Sequence, residues 1–299
     1  MKIFVSGGTG FVGTALVSYL LDTGHSVIAT GTSSTHKNVD HHNFLFIPAD
    51  TTEKGPWQNS LKDVDALINL AGRTIFNRWS ERYKKEIYNS RILTTRNLVE
   101  AMPDNKEVVL CSTSAVGYYG DRGEEILKED ALPGKDFLAT VSMDWEKEAF
   151  LAEKKGARVA MMRFGVVLGK NGGALAKMIP AFKSFAGGPV GSGDQWFPWI
   201  HMDDLISAIA FIIENREMKG PVNFCAPNPV RNRDFAKALG KMLGRPSFMR
   251  TPSFMIRTLM GEMGAVVMGS QRVVPDKLLK NGFEFQYPEI EEALHNLLK

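Results

Sequence analysis

An α/β fold, a doubly wound parallel sheet carrying a smaller C-terminal domain, is the architecture this sequence predicts, on three observations. The chain starts with a short apolar strand, Lys2-Ile3-Phe4-Val5-Ser6, that runs directly into Gly7-Gly8-Thr9-Gly10-Phe11-Val12-Gly13. Apolar residues Phe11, Val12, Ala15, Leu16, Tyr19 and Leu20 then recur at helical spacing, which places a helix from near Gly10 to near Gly24. From there to Phe164, short apolar runs alternate with helical patterns, the rhythm of a Rossmann-like sheet with crossover helices.

Strand, glycines and helix in immediate succession give G-x-G-x-x-G (Gly8, Gly10, Gly13) the context of a dinucleotide site. Aligned peptide dipoles and unpaired N–H groups give the helix start roughly +0.5 of a charge, which suits a pyrophosphate. On this reading Gly8 permits the tight turn, Gly10 lets the phosphates reach the backbone, and Gly13 seats the helix on the sheet. Gly7, Gly8, Thr9, Gly10, Phe11, Val12 and Gly13 are therefore the first candidate cofactor contacts.

The second strand, from His25 to Thr30, ends where such folds choose their cofactor, because a carboxylate there binds the ribose 2′-OH of NAD. Thr30-Gly31-Thr32-Ser33-Ser34 holds no carboxylate, and His36 and Lys37 follow. Thr32 and Ser33 are thus candidate contacts to a 2′-phosphate, and NADP(H) is favoured over NAD; a plain polar loop is the alternative. The runs Phe44 to Ile47 and Val64 to Leu70 read as buried strands, so Asp50 and Asn69-Leu70-Ala71-Gly72 fall at carboxyl ends, where adenine and ribose would lie. Residues 80 to 102 read as a long helix; Arg91 within it is a cofactor candidate whose plainer reading is a solvated helix residue.

Val108 to Cys111 is the next strand, expected to run out into Ser112-Thr113-Ser114-Ala115-Val116-Gly117-Tyr118-Tyr119-Gly120. Hydroxyls and tyrosines at a strand's carboxyl end are placed to touch ligands, although Ser, Thr and Gly also favour turns. Charge, Pro and Gly make 121 to 136 a surface loop; a helix from about Val141 to Lys155 and a strand from Arg158 to Phe164 follow.

The rhythm then breaks. Gly169-Lys170-Asn171-Gly172-Gly173 reads as a loop, Ala174 to Phe185 as a helix, and Gly187 to Pro198 as a glycine-rich crossing next to Trp199. The stretch from Asp203 to Ile213 is apolar nearly all round, hence a buried helix; Pro221 to Cys225 returns to the sheet, and helices follow over 231–243, 253–267 and 289–298. The expected division is a dinucleotide-binding domain over 1–170, its sheet completed by 203–225, and a smaller substrate domain from 171–202 and 226–299.

With 44% apolar and 23% charged residues, the composition is that of an ordinary soluble protein, and a net charge of +3 is too small to argue for nucleic acid or a membrane surface. Cys111 and Cys225 lie in apolar runs and read as buried thiols; no cluster has metal-ligand spacing, so no metal is expected. No long apolar run or cleavage site is visible, which predicts a cytoplasmic protein with a small-molecule substrate, as a monomer or homodimer.

Together these stretches resemble the extended short-chain dehydrogenase/reductase superfamily, and within it the nucleoside-diphosphate-sugar epimerase-like group, in the NAD-dependent epimerase/dehydratase family, with its characteristic C-terminal domain. Besides the glycine motif, the resemblance is carried by Asn69-Leu70-Ala71-Gly72, Ser90-Arg91, Ser112 to Gly120, Asp144-Trp145-Glu146, Trp199-Ile200-His201-Met202-Asp203-Asp204, Gly269 to Pro275 and Gly282-Phe283-Glu284-Phe285. It implies NADP(H) as cofactor and Ser114 as the hydroxyl that holds a substrate oxygen. The superfamily's Tyr-x-x-x-Lys pair falls on Val141 and Trp145, and no tyrosine occurs between Tyr119 and Tyr287. Both the acid/base and the lysine that lowers its pKa are therefore missing. Tyr118 or Tyr119 is the replacement proton donor within reach of the same strand end, and Arg163, Trp199 and His201 are candidate substrate contacts, with buried core as the competing reading for the tryptophan. The expectation is an NADP-dependent oxidoreductase or epimerase-like enzyme transferring hydride to or from a small carbonyl, alcohol or sugar-nucleotide-like substrate. The rival is a non-catalytic NADP(H)-binding or redox-sensing protein.

Overall fold

From Ile3 to Ser6 the first strand, β1 (Lys2–Ser6), is buried on both faces, as a central strand of a parallel sheet has to be, and the other strands are laid out on either side of it. The computed structural model describes residues 1–36, 39–104, 107–170 and 172–299. After β1 come α1 (Phe11–Asp22), β2 (Ser26–Gly31), β3 (Phe44–Pro48), β4 (Ala66–Asn69), α2 (Glu81–Ala101), β5 (Val109–Ala115), β6 (Ile126–Leu127), α3 (Phe137–Phe150), β7 (Arg158–Phe164) and β8 (Val166–Leu168). The chain continues with α4 (Gly173–Lys183), β9 (Trp196–Phe197), β10 (Trp199–His201), α5 (Met202–Glu214), β11 (Gly220–Phe224), β12 (Val230–Arg231) and α6 (Asn232–Leu243). It ends with α7 (Ser253–Met260), α8 (Met263–Met268), β13 (Arg272–Val273), α9 (Asp276–Lys280) and α10 (Ile290–Leu298).

Seven parallel strands form the main sheet in the order β11-β7-β5-β4-β1-β2-β3. The order reverses between β1 and β4, so the ligand crevice of a doubly wound sheet opens above their carboxyl ends. One face of the sheet packs on α1 and α5 through Leu16, Val17, Leu20, Leu205, Ile206 and Ile209. The other packs on α2 and α3 through Leu98, Val99 and Ala149. A separate core, with Leu175 and Phe182 of α4, Phe235 and Leu239 of α6, and Leu294 and Leu297 of α10, builds the second layer.

Four local expectations are corrected. β5 does not end at Cys111 but continues to Ala115. Its period-two alternation turns Ser112 and Ser114 together toward α2 and α3, and both are buried. The helix expected from Val141 begins at Phe137, because the Asp136 carboxylate accepts a hydrogen bond from the Ala139 N–H at 2.9 Å and caps it there. The single helix expected over 253–267 is two, α7 and α8, parted at Gly261 with φ +61°. The loop over 121–136 supplies β6, which pairs with β13. Cys111 and Cys225 are free and buried, and burial pushes the Cys111 thiol up to about 12.

Candidate functional site

The glycine turn is shifted by one residue from its expected register. Gly7 makes it, with φ +75°, and a Cβ there would lie 2.9 Å from the backbone of Leu70 and Ala71. Gly8 is instead a packing glycine, whose Cβ would lie 2.6 Å from the Ala29 side chain on β2. Gly13 seats α1 on the turn, since a Cβ would come within 2.2 Å of the Gly7 carbonyl oxygen. Gly10 is the N-cap of α1, and within 4 Å a Cβ there would meet only that same oxygen, at 3.2 Å. Its open side faces outward beside the α1 N-terminus, the surface a pyrophosphate needs. Thr9 lies against Gly31, where a Cβ would meet its hydroxyl at 2.4 Å; the Phe11 ring lies against Gly169, Gly172 and Gly173, and Val12 packs on the first core.

At the end of β2, Thr32 and Ser33 are exposed, and His36 stands edge-on to Phe44 and Phe46 with Nε2 3.1 Å from the Gly8 carbonyl oxygen. Lys37 lies outside the described residues, as does Asn171 of the later loop. Asp50, exposed beyond β3, accepts from the N–H and hydroxyl of Thr52 at 3.0 and 2.7 Å. Leu70 packs on the first core, and Ala71 lies against the Gly7 turn.

Asn69 and Ser112 belong to a buried polar seam across the crevice floor. Ser6 donates to Asn69 Oδ1 at 2.7 Å, and Asn69 Nδ2 donates to Thr95 at 2.9 Å and, more weakly, to Ser112 at 3.5 Å. The Trp145 indole N–H also donates to Thr95, at 2.8 Å, and Thr95 donates to the Arg91 carbonyl at 2.7 Å. Val141 and Trp145, on which the superfamily's tyrosine–lysine pair is expected to fall, are both buried, and Trp145 is hydrogen-bonded.

Arg91 rises from this seam. Its Nη1 donates to the carbonyls of Arg73 and Ile87, both at 3.0 Å, and its guanidinium carbon lies 5.1 Å from the Trp145 ring centroid. A Cβ on Gly72 would lie 3.3 Å from that carbon. Burial brings its pKa down to about 10, against a pull upward from Tyr83, and no carboxylate among the described residues pairs with it.

The residues expected to carry chemistry are drawn into a second buried cluster. Arg163, only 2% exposed, grips Glu146 with Nε and Nη2 at 2.7 and 2.9 Å, while Nη1 donates to the Tyr119 hydroxyl and the Glu129 carbonyl. Burial would lower its pKa, but the Glu146 carboxylate more than offsets this and holds it above the ordinary value. Ser114 donates to the same carboxylate at 2.7 Å. The Tyr119 hydroxyl donates to Asn223 on β11 at 2.6 Å, and burial pushes this phenol above its ordinary pKa although Arg163 opposes the shift. Tyr118 stacks on the guanidinium at 3.5 Å, and its hydroxyl makes no hydrogen bond among the described residues.

Trp199 is packed into the core of the second layer. His201 caps α5, accepting from the Asp203 N–H at 3.0 Å, and stacks on Tyr287 at 3.9 Å. It lines a cavity of about 770 Å³ on the flank of α1, with Thr9, Gly10, Lys170 and Asn296. A different cavity, of about 390 Å³, lies where the Gly117–Gly120 turn and the start of α3 meet α8, walled by Trp79, Phe137, Leu138, Val266 and Gln271. Glu146, Thr95 and Asn223 are hydrogen-bonding neighbours of the candidate residues that the sequence alone does not single out. Glu146 was legible only as part of Asp144-Trp145-Glu146, and its partner Arg163 lies on a strand that sequence distance does not connect to it. Among the described residues no helix is long and apolar enough to cross a membrane, and no group of three or more His, Cys, Asp or Glu is placed to hold a metal.

A seven-stranded parallel sheet with a glycine cradle at its switch point defines an NAD(P)-binding protein of the short-chain dehydrogenase/reductase fold. More particularly, the chain belongs to the NAD dependent epimerase/dehydratase family, whose model matches residues 3–225, and a domain of unknown function, DUF1731, matches residues 251–297. The chloroplastic epimerase family protein SDR39U1 homolog of Arabidopsis thaliana is 41% identical over the whole chain and 87% of its own length. Epimerase family protein YfhF of Bacillus subtilis is 38% identical, over the whole chain and 98% of its own length. The crystal structure of human epimerase family protein SDR39U1 (isoform 2) with NADPH superposes with a TM-score of 0.86 at 30% identity, covering all of this chain and 99% of that one.

Proposed function

We propose that the protein binds NADP(H) across the β1–β4 switch point and acts as an oxidoreductase on a small substrate held between the strand ends and α8, without the tyrosine–lysine relay of sugar epimerases. The observation that carries this reading is the open face of Gly10 at the α1 N-terminus beside a β2 end free of carboxylates from Gly31 to His36. The human relative, solved with NADPH, supports the same choice of cofactor. The cofactor supplies the hydride donor or acceptor; binding, orientation and proton delivery fall to the chain. The α1 N–H groups cradle the pyrophosphate, Thr32 and Ser33 meet the 2′-phosphate, and the 390 Å³ cavity shelters the substrate from water. Tyr118 is the phenol left to move a proton, because the Tyr119 and Ser114 hydroxyls are already committed to Asn223 and Glu146. Those commitments are also what favours the second reading, a cofactor-binding sensor without turnover.

Calorimetry is expected to show NADPH binding at least about tenfold more tightly than NADH, as a 2′-phosphate meeting hydroxyl donors requires. Equal affinities, or a preference for NADH, would remove the cofactor assignment.

Incubation with UDP-glucose or UDP-galactose is expected to give no interconversion, since neither Val141 nor Trp145 can take a hydroxyl proton. If a carbonyl compound in a screen of NADPH oxidation is turned over, Tyr118→Phe is expected to lower kcat by roughly a hundredfold. Rapid UDP-hexose epimerisation, or full activity in Tyr118→Phe, contradicts the proposed chemistry. Silence across a wide panel selects the sensor.

A further inference from the structure

The 390 Å³ cavity beside α8 has an apolar side and a polar side, and the polar side offers a ligand only acceptors. Trp79, Phe137, Leu138 and Val266 make the apolar side, with the Trp79 and Phe137 rings edge to face at 5.2 Å. The side-chain donors in the wall are already engaged. The Trp79 indole N–H donates to the Ile75 carbonyl at 2.9 Å, and the Gln271 amide nitrogen donates to the carbonyls of Val116 and Gly120 at 3.1 and 3.0 Å. Oxygen is what remains. Asp136 uses Oδ1 on the Ala139 N–H, and Asp121 uses Oδ1 on the N–H groups of Gly123 and Ser270. Among the described residues the Oδ2 atom of each has no hydrogen-bond partner. The third carboxylate in the wall, Glu262, is paired with Lys84, which it shares with Glu81. Lys84, and Arg78 against Gly261, lie outside the wall, and among the described residues no Lys, Arg or His lines it.

Resting on the oxidoreductase reading above, we infer that the substrate of this cavity is a ring-bearing alcohol or carbonyl compound without phosphate or carboxylate, and that an ammonium group on it is preferred over a neutral group of the same shape. A phosphate or carboxylate has to be met by N–H donors or cations, and this wall presents unpaired carboxylate oxygens instead. An ammonium brings three donors to those oxygens and is attracted by the face of an aromatic ring. The ring itself follows from the Trp79 and Phe137 walls, which reward stacking and edge contacts beyond the area they bury. Size points the same way. The volume is near the lower end of the roughly 300–1,000 Å³ of ligand pockets, room for one ring system and its substituents rather than for a sugar joined to a nucleotide.

The test uses benzyl alcohols that differ only in the para substituent: aminomethyl, ethyl or carboxylate. Each is titrated by calorimetry into the chain loaded with NADPH, where alcohol and cofactor are both reduced and binding is read without turnover. The aminomethyl compound is expected to bind about threefold to tenfold more tightly than its ethyl isostere, and the carboxylate at least about tenfold more weakly than the ethyl compound. The double variant Asp121→Asn, Asp136→Asn keeps the oxygens that accept from backbone N–H groups, and Asn caps a helix as Asp does. It is expected to bring the aminomethyl and ethyl affinities within about twofold of each other and to leave the ethyl compound unchanged. Val266→Trp fills the cavity and is expected to weaken both of these ligands at least about tenfold while NADPH binds as before. A carboxylate that binds as well as the ethyl compound, an aminomethyl preference that is absent or survives the double variant, full binding to Val266→Trp, or no binding by any of the alcohols overturns the inference. If Val266→Trp does not fold, the parent chain and the double variant decide. Binding in the expected order with no reduction of NADP⁺ by the aminomethyl alcohol, and no oxidation of NADPH by its aldehyde, keeps the ligand class and counts against the oxidoreductase reading. Failure of the parent chain to bind NADPH counts against the cofactor reading, and the same titrations on the chain alone then decide the ligand class.

Discussion

Arg163→Met is expected to melt roughly ten degrees below the parent chain in a circular-dichroism scan. The substitution leaves the Glu146 carboxylate, only 6% exposed, without its cation, and leaves the Tyr119 hydroxyl without a donor. Removing one partner of a buried ion pair costs about 3–5 kcal/mol, and each kcal/mol moves the melting temperature by about 2–4 °C in a chain approaching this size. The double variant Arg163→Met, Glu146→Leu removes the stranded charge and is expected to regain much of that loss. A single variant that melts within two degrees of the parent would mean that water reaches the pair and that the cluster adds little to stability.

Gly10→Val is expected to weaken NADPH binding by at least about a hundredfold while melting close to the parent. Its Cβ would meet only the Gly7 carbonyl oxygen, at 3.2 Å, a contact relieved by a shift of a few tenths of an ångström. The remaining bulk projects into the phosphate surface, where backbone N–H groups have to be approached closely. Gly13→Val is the contrast, because its Cβ would lie 2.2 Å from the same oxygen and the fold itself gives way. Normal NADPH binding by Gly10→Val would show that the phosphates do not lie at the start of α1.

Local pattern explains what could be read before the structure. The alternation of strands and helices, the glycine-to-helix junction and the buried α5 follow from periodicity and turn chemistry within a few residues of one another, and all are present. The turn register was misassigned because Gly7 and Gly8 are adjacent and both lack a side chain. Only the approach of Leu70–Ala71 from β4 shows which of them takes the positive φ. The fate of Ser114 was hidden for a related reason. Its environment is set by Glu146 on α3 and Arg163 on β7, and a strand that runs to Ala115 rather than Cys111 decides which way the hydroxyl points. Arg91, a cofactor candidate whose plainer reading is a solvated helix residue, is half-buried, and nothing local in the sequence shows that an indole from α3 lies beneath its guanidinium.

The route of the chain through its two layers bears on how such a protein can be recombined. After β7 the chain leaves the main sheet for β8 and α4, returns for α5 and β11, and leaves again for α6 through α8 before α9 packs back on the sheet core and α10 closes the second layer. The core of the second layer is consequently assembled from α4, α6 and α10, three pieces separated by parts of the sheet layer. A single genetic crossover after β11 would exchange α6 and α10 but leave Leu175 and Phe182 of α4 facing an unfamiliar surface. The C-terminal segment can therefore be traded between relatives as a block only when α4 is traded with it, and this ties the pace of change in one helix to that of two others more than forty residues away.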